Sequence, residues 1–407
     1  MKTAFTASSF NPHAPEFLAN PYPTYRYFRD NAPIAPVFYT LENNEQTPMG
    51  MWVFRYEDVR TVLDQKDLYL KNTKASPPVP GNSPIAAMAN MPNGLFSMDP
   101  PRHGEVRPIL DELFAASILN IETVVRNLAD QYLDRLKGGQ SFDLFADYAM
   151  PLPSQVLREV LGIPDGHWGG IESWVGRMVS GHDITTSVAN QFMAGTCTMA
   201  LGGYYQAMQK GCPFHAESGK MFDQMVNAGE ARGILPEEVQ QTAVNLSLAG
   251  YLTSVFLIAT GVYNLLTNPK QLALLRSRPE LIGNAVEEML RIDAPAQLVD
   301  RVVCEDTELG GVHLKAGTKV TAALGSANHD PLKFHNPETF DIERDTTGHL
   351  GFGEGIHTCL GAPLLRKVAP IAIECLLNEF PNLHINGTPQ WQTDPYLRSV
   401  SNLPVAI

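Results

Sequence analysis

Apolar residues recur at three- and four-residue spacing through most of the stretch from Pro101 to about Leu290, the period of helices with one buried face. The segments EVRPILDELF and IETVVRNLADQYLDRL read this way. So does PEEVQQTAVNLSLAGYLTSVFLIATGVYNLLTNP, which has an acidic first turn and stops at Asn268-Pro269. After Pro295 the period shortens: RVVCEDTELGGVHLKAGTKVTAAL alternates, with turns at Gly310-Gly311 and Ala316-Gly317, as short strands do. MWVFRYEDVRTVLDQ predicts a strand running into a helix, and CLGAPLLRKVAPIAIECLLNEFP a closing helix from about Cys359. Residues 71–93, rich in Pro, Ser, Asn and Ala, predict a lid or binding loop rather than a simple connector. No repeat or composition break divides the chain. The expected fold class is mainly α with a minor β portion, in one large domain over residues 1–407.

One apolar run, Leu246 to Leu266, approaches the roughly 20 residues that span a bilayer. It carries Ser247, Thr253, Ser254 and Asn264 and lacks a flanking basic cluster, so a helix buried inside a large core fits it better. A net charge of −13 and a pI near 5.3 argue against nucleic acid or an anionic membrane as the main partner. The five cysteines are widely spaced with no CxxC, as expected of reduced thiols in a cytoplasmic protein. The N-terminal MKTAFTASSFNPHAPEF has no apolar core long enough for a signal peptide or anchor.

The segment GFGEGIHTCLGA, Gly351 to Ala362, sets one cysteine among four glycines. Bare backbone lets a loop approach a flat or bulky group closely. A helix start beside Cys359 would lower its thiol pKa, making a thiolate able to attack or to bind metal. His357, two residues away, points elsewhere on a helical turn, so one thiolate on one metal centre is the better chemical reading. A buried cysteine beside a Gly-rich turn is the plain alternative.

Three other constellations have plain readings of their own. Glu288 and Arg291 in EEMLR lie side by side at i,i+3 spacing, as surface pairs do. His103 and Arg107 share one face, as an exposed basic strip would. In LAGYLTS, the small Ala249 and Gly250 sit mid-helix, where Gly costs about 1 kcal/mol against Ala. Thr253 shares a face with Ala249, and its hydroxyl could simply bond back to the helix.

FGEGIHTCLGA resembles the haem-ligand loop of the cytochrome P450 family, with Phe352, Gly353, Gly355, His357, Cys359 and Gly361 in the family's places. Asn20-Pro21-Tyr22-Pro23, PLPSQVLREVLGIP, the central helix and NHDP extend the resemblance over nearly the whole chain. It implies a soluble bacterial-type haem-thiolate monooxygenase carrying haem b, with Cys359 as axial ligand and electron donor to the iron. Phe352, Gly353 and Gly361 would lie against the porphyrin. His103, Arg107, Arg301 and His349 would hold its propionates, and Glu288 with Arg291 would brace the loop. Ala249 and Gly250 would face the distal side, and Thr253 would hydrogen-bond dioxygen and relay protons. The implied reaction inserts one oxygen atom of O2 into a small apolar substrate. Electrons would come from a separate ferredoxin or flavodoxin with its NAD(P)H reductase, docking near Arg102, Arg366 and Lys367.

The chain departs from the family where an acid usually precedes the threonine: here it is Leu252, after Tyr251. Ser254, Tyr251 or ordered water would then relay protons. Otherwise the protein is a peroxide-using peroxygenase or haem isomerase on the same fold, with a haem sensor or carrier as a further alternative. A second departure is LLRKVAP, where an acidic residue commonly follows the arginine. Substrate contacts are expected at Phe96, Ala249, Thr253, Gln297, Leu298, Val299, Ser399 and Val400.

Overall fold

The computed structural model describes residues 10–40, 46–71, 94–180, 188–212 and 218–407. Most of the Pro-rich stretch expected to form a lid, residues 72–93, lies outside them. The chain divides into two compact units, each assembled from several stretches of sequence.

The first unit comprises residues 1–77, 259–359 and 384–404 and holds the five-stranded sheet. We number its strands β1 (Ile34–Thr40), β2 (Gln46–Val53), β3 (Tyr69–Leu70), β4 (Leu298–Val303) and β5 (Lys319–Ala323). Their spatial order is β1-β2-β5-β4-β3, with only β2 and β5 parallel. The alternation that marked 301–324 as strands is the pleat itself, turning at Gly310 and Gly311, both left-handed with φ of +53° and +81°. Ring against ring, Phe10, Phe17, Tyr25, Phe28, Trp52 and Phe54 form an aromatic core on this sheet. A second cluster joins Val53, Val59, Val62, Leu63, Val303, Val320 and Leu350 beneath the helix Tyr56–Asp64.

The second unit comprises residues 78–258, 360–383 and 405–407 and is mainly helical. Its helix Ile121–Leu136 packs along Ala362–Glu379. Val125, Ala129 and Leu133 are buried on the first, and Val368, Ala372 and Leu376 on the second. Ion pairs of Arg126 with Glu374 and of Lys367 with Glu122 flank that contact. The closing helix begins at Ala362 with Gly361 as its cap, three residues later than the pattern predicted, which leaves Cys359 in the preceding loop.

The helix Pro236–Thr267 is apolar and long enough to cross a membrane, yet 78% of its apolar window is buried, as in a core helix. Its middle is not regular α-helix: Leu246–Gly250 forms a π-turn. Such a turn inserts an extra residue and loosens the backbone ladder locally. Thr253 donates to Ala249 O and Ser254 to Gly250 O, both at 2.7 Å, covering carbonyls next to the irregularity.

Candidate active site

The glycine loop, Gly351 to Gly361, contrasts with what flanks it. Leu350 and Ala362 are 1% and 4% exposed, whereas the apolar Phe352, Ile356 and Leu360 between them all keep accessible surface. Gly353 and Gly355 have φ of +69° and +73°, a conformation that L side chains rarely adopt. A Cβ on Gly355 would lie 2.6 Å from the Leu63 carbonyl oxygen, and one on Gly351 2.7 Å from that of Leu290. The loop is thus pressed against backbone on one side while offering an exposed thiol, Cys359, on the other. Hydrogen bonds from Gly353 N to Leu350 O and from Cys359 N to Phe352 O, both 2.9 Å, hold its curve.

One helical turn supplies the bracing. Glu288 and Arg291, both fully buried, pair in a two-pronged contact of 2.6 and 2.8 Å. Arg291 also donates to the carbonyls of Asn328, Pro337 and Thr339, and its guanidinium sits 5.5 Å over the Phe334 ring. Glu288 accepts further from Asp341 N and from Arg344 Nε. Asn328 Oδ1 in turn receives Leu350 N at 2.7 Å, on the threshold of the glycine loop. The pair therefore reaches the loop through Asn328. Arg344 and the neighbouring Glu287 are partners that the sequence reading missed. ERD at 343–345 carried no spacing that tied it to EEMLR.

His349 is placed otherwise than expected of a propionate partner. Its Nε2 meets Glu287 Oε2 at 2.8 Å, and its Nδ1 accepts from Gly351 N at 3.1 Å. That pattern assigns the proton to Nε2 and leaves neither nitrogen for another carboxylate. His349 is a clamp on the loop. Arg301 is buried on β4, at 3% exposure, and donates to Asp300 O. In the helical unit, His103 is 2% exposed, and its pKa is lowered by burial first and by the Arg107 charge second. Arg107 bonds Asp111 at 2.9 Å.

On the central helix, an open stripe runs through buried neighbours. Ala249 is exposed and Gly250 and Thr253 are partly so, whereas Leu248, Tyr251, Leu252 and Val255 are buried. Leu252 occupies a core position, where an unpaired carboxylate would be costly. Burial, and secondarily the Glu172 charge, push the Tyr251 phenol pKa far up, so it remains protonated.

Most of the expected substrate contacts are packed or hydrogen-bonded within the first unit. Leu298 is part of the aromatic core and Val299 packs on the second cluster. Ser399 bonds Val400 O and Thr260, and both Ser399 and Val400 are buried. Gln297 is 2% exposed and donates to Ala294 O. Alternating strand residues there simply fill the core. Phe96, by contrast, is 37% exposed on the turn Leu95–Ser97. A cleft of about 370 Å³ lined by Tyr56, Arg60, Lys333, Glu354 and Thr358 is charged, unlike an apolar substrate chamber.

Comparison with known proteins decides the family. Residues 218–404 match the family model "Cytochrome P450". The chain is 33% identical over 377 residues to the putative cytochrome P450 YjiB of Bacillus subtilis, covering 91% of this chain and 90% of that one. It is 32% identical to the cytochrome P450 monooxygenase PikC of Streptomyces venezuelae, over 96% and 92% of the two chains. The chain belongs to the cytochrome P450 family. Among solved structures it resembles P450BioI in complex with an acyl carrier protein ligated to hexadec-9Z-enoic acid. The TM-score is 0.86 with 29% identity, over 97% of this chain and 100% of that one.

As a P450 the chain binds haem b through a cysteine thiolate and acts as an oxidoreductase of the monooxygenase class. The residues fit that cofactor. Cys359 presents an exposed thiol that can serve as the single protein ligand of a haem iron. The apolar, part-exposed face of the glycine loop supplies the surface against which a flat ring system packs.

Proposed function

We propose that this P450 hydroxylates a small, largely apolar organic substrate with O2 and two electrons from a separate ferredoxin or flavodoxin. In balance, R–H, O2, two electrons and two protons give R–OH and water. The carrying observation is the open stripe of Ala249, Gly250 and Thr253 on an otherwise buried helix: small residues clear space, and one hydroxyl is the polar group within it. Haem b, held by the Cys359 thiolate, supplies the reductive activation of O2. Phe352, Gly353 and Gly361 are proposed to pack on the ring, and His103, Arg107 and Arg301 to hold its carboxylates. Thr253 spends its hydroxyl proton on Ala249 O, so its oxygen accepts a hydrogen bond and passes a proton on when that bond rotates. Tyr251 stays protonated and so does not serve as a base, and Ser254 donates to Gly250 O.

We further propose that residues 1–407 work as one haem domain, a reading supported by the P450 relative PikC, which matches over 96% of this chain. A cytoplasmic location suits five cysteines that form no disulfide. Partner docking is weakened at two of the three cations anticipated from sequence by internal pairing: Arg102 is bound to Glu238 and Glu105, and Lys367 to Glu122. An acyl carrier protein partner, as in the P450BioI complex, is a second reading of the substrate's delivery.

The test is a Soret titration of the ferric protein with apolar compounds, followed by turnover with a ferredoxin and its reductase. A high-spin shift and hydroxylated product are expected. Thr253→Val should retain haem and the shift but lose roughly tenfold or more of product per electron, the scale of a proton-transfer role. Unchanged coupling in that variant would remove Thr253 from the relay.

A further inference from the structure

One turn before the open stripe, the helix carries a polar group with no protein partner. Asn245 is 8% exposed, yet neither its amide oxygen nor its amide nitrogen has a hydrogen-bond partner. The Gln241 Oε1, four residues earlier and on the same side, is buried and equally unpartnered. Both lie against the start of the turn that carries the exposed Phe96. A Cβ on Gly94 would fall 2.7 Å from Asn245 Nδ2 and 3.1 Å from Gln241 Cβ, and Leu95 N leans on Thr242 Oγ1 at 3.4 Å. Burying an amide without partners costs about 1–3 kcal/mol. A leucine would fill the same volume without that cost. Native chains seldom keep such a group without a use for it. The spacing 245, 249, 253 continues the face of the open stripe, with the π-turn between.

We propose that Asn245, seconded by Gln241, is the specificity-determining anchor for a substrate that presents one neutral group able both to donate and to accept a hydrogen bond, a hydroxyl or a carboxamide, at the end of an apolar body. An amide pairs with such a group twice, once through Nδ2–H and once through Oδ1. A carboxylate satisfies only the nitrogen, and a hydrocarbon satisfies neither. Sites built on this logic discriminate sharply, because the unmatched ligand leaves buried polar atoms unpaired. The proposal rests on the monooxygenase reading above and names the substrate class of that same site.

The test uses the haem-loaded protein and needs no turnover. Ferric spin-state titrations with 1-decanol, decyl methyl ether and decane are compared in wild type and Asn245→Leu. Wild type should bind the alcohol about tenfold tighter than the hydrocarbon, about 1.4 kcal/mol, with the ether between them. Asn245→Leu should erase that preference. Equal binding of all three by wild type, or a preference that survives Asn245→Leu, overturns the proposal. The melting temperature of ligand-free Asn245→Leu should hold or rise. A fall of several degrees would mean that the amide already has a protein or water partner, which also overturns it, and this reading decides the matter even if none of the three compounds binds. Loss of a thiolate-haem spectrum from the wild-type protein would sink the monooxygenase reading instead, so the two failures are distinguishable.

Discussion

The brace behind the cysteine loop and the middle of the central helix treat buried polar groups in opposite ways. Around Glu288 and Arg291, every prong of both side chains meets a partner, and beyond the pair itself and Arg344 those partners are backbone groups of neighbouring segments. Around Leu246–Gly250 the ladder is loosened, a stripe of surface opens at Ala249, and Asn245 keeps both amide atoms unspent. A saturated polar network fixes one geometry, whereas spare capacity in a buried site is useful only when something else arrives to use it. The first arrangement suits a ligand that stays bound, and the second suits one that comes and goes.

The largest effect should come from breaking the saturated side. Arg291→Met leaves Glu288 buried without its partner and strands the carbonyls of Asn328, Pro337 and Thr339. Removing one member of a buried pair costs about 3–5 kcal/mol. Urea unfolding should show a loss of that size, and haem should be retained poorly on gel filtration. A loss below about 1 kcal/mol would mean that the network is dispensable and the two regions do not differ in this way. Arg291→Lys keeps the charge but not the fork, so it should recover only part of the loss.

Chemistry tied to short, ordered motifs was legible in the sequence, and chemistry assembled from distant segments was not. GFGEGIHTCLGA declares its own conformation, since glycine at 353 and 355 is what left-handed φ requires. EEMLR gave the pair but not its burial, because i,i+3 spacing is the same on a surface helix. Arg344 and Glu287 escaped notice since only folding brings them to the pair and to His349. The mainly α class with a minor β portion was readable from the change of period near Pro295. The π-turn was not, as its apolar run has ordinary helical composition. Leu298, Val299, Ser399 and Val400 look like pocket residues in sequence for the same reason they look like core: both are apolar, and the strand period does not say which face is empty.

A milder perturbation of the braced side should separate shape from charge. In Gly355→Ala a methyl group would have to fit 2.6 Å from Leu63 O with the backbone at φ +73°. Strain at such a position, with the crowding added, amounts to about 1–3 kcal/mol. The expected outcome is a stability loss in that range and weaker haem retention, with the Glu288–Arg291 network undisturbed. If haem affinity falls while urea stability of the haem-free protein does not, the loop's curve matters only for the cofactor. If neither changes, the glycine is not shaping the loop.

The smallest effect concerns His103 in the helical unit, and its sign depends on the cofactor. Burial, and then Arg107, lower its pKa below the ordinary 6.5 in the haem-free chain. The unfolded state therefore takes up a proton first as pH falls. The haem-free protein should keep this contribution above pH 6.5 and lose it progressively below. A propionate brought beside the imidazole favours its charged form, which reverses the direction. The His103 pKa, followed by NMR across pH 5–8, should then rise on haem loading and the acid-side loss should disappear. A pKa that stays low in the loaded protein would place the propionates elsewhere and leave His103 as a buried neutral residue of the helical core.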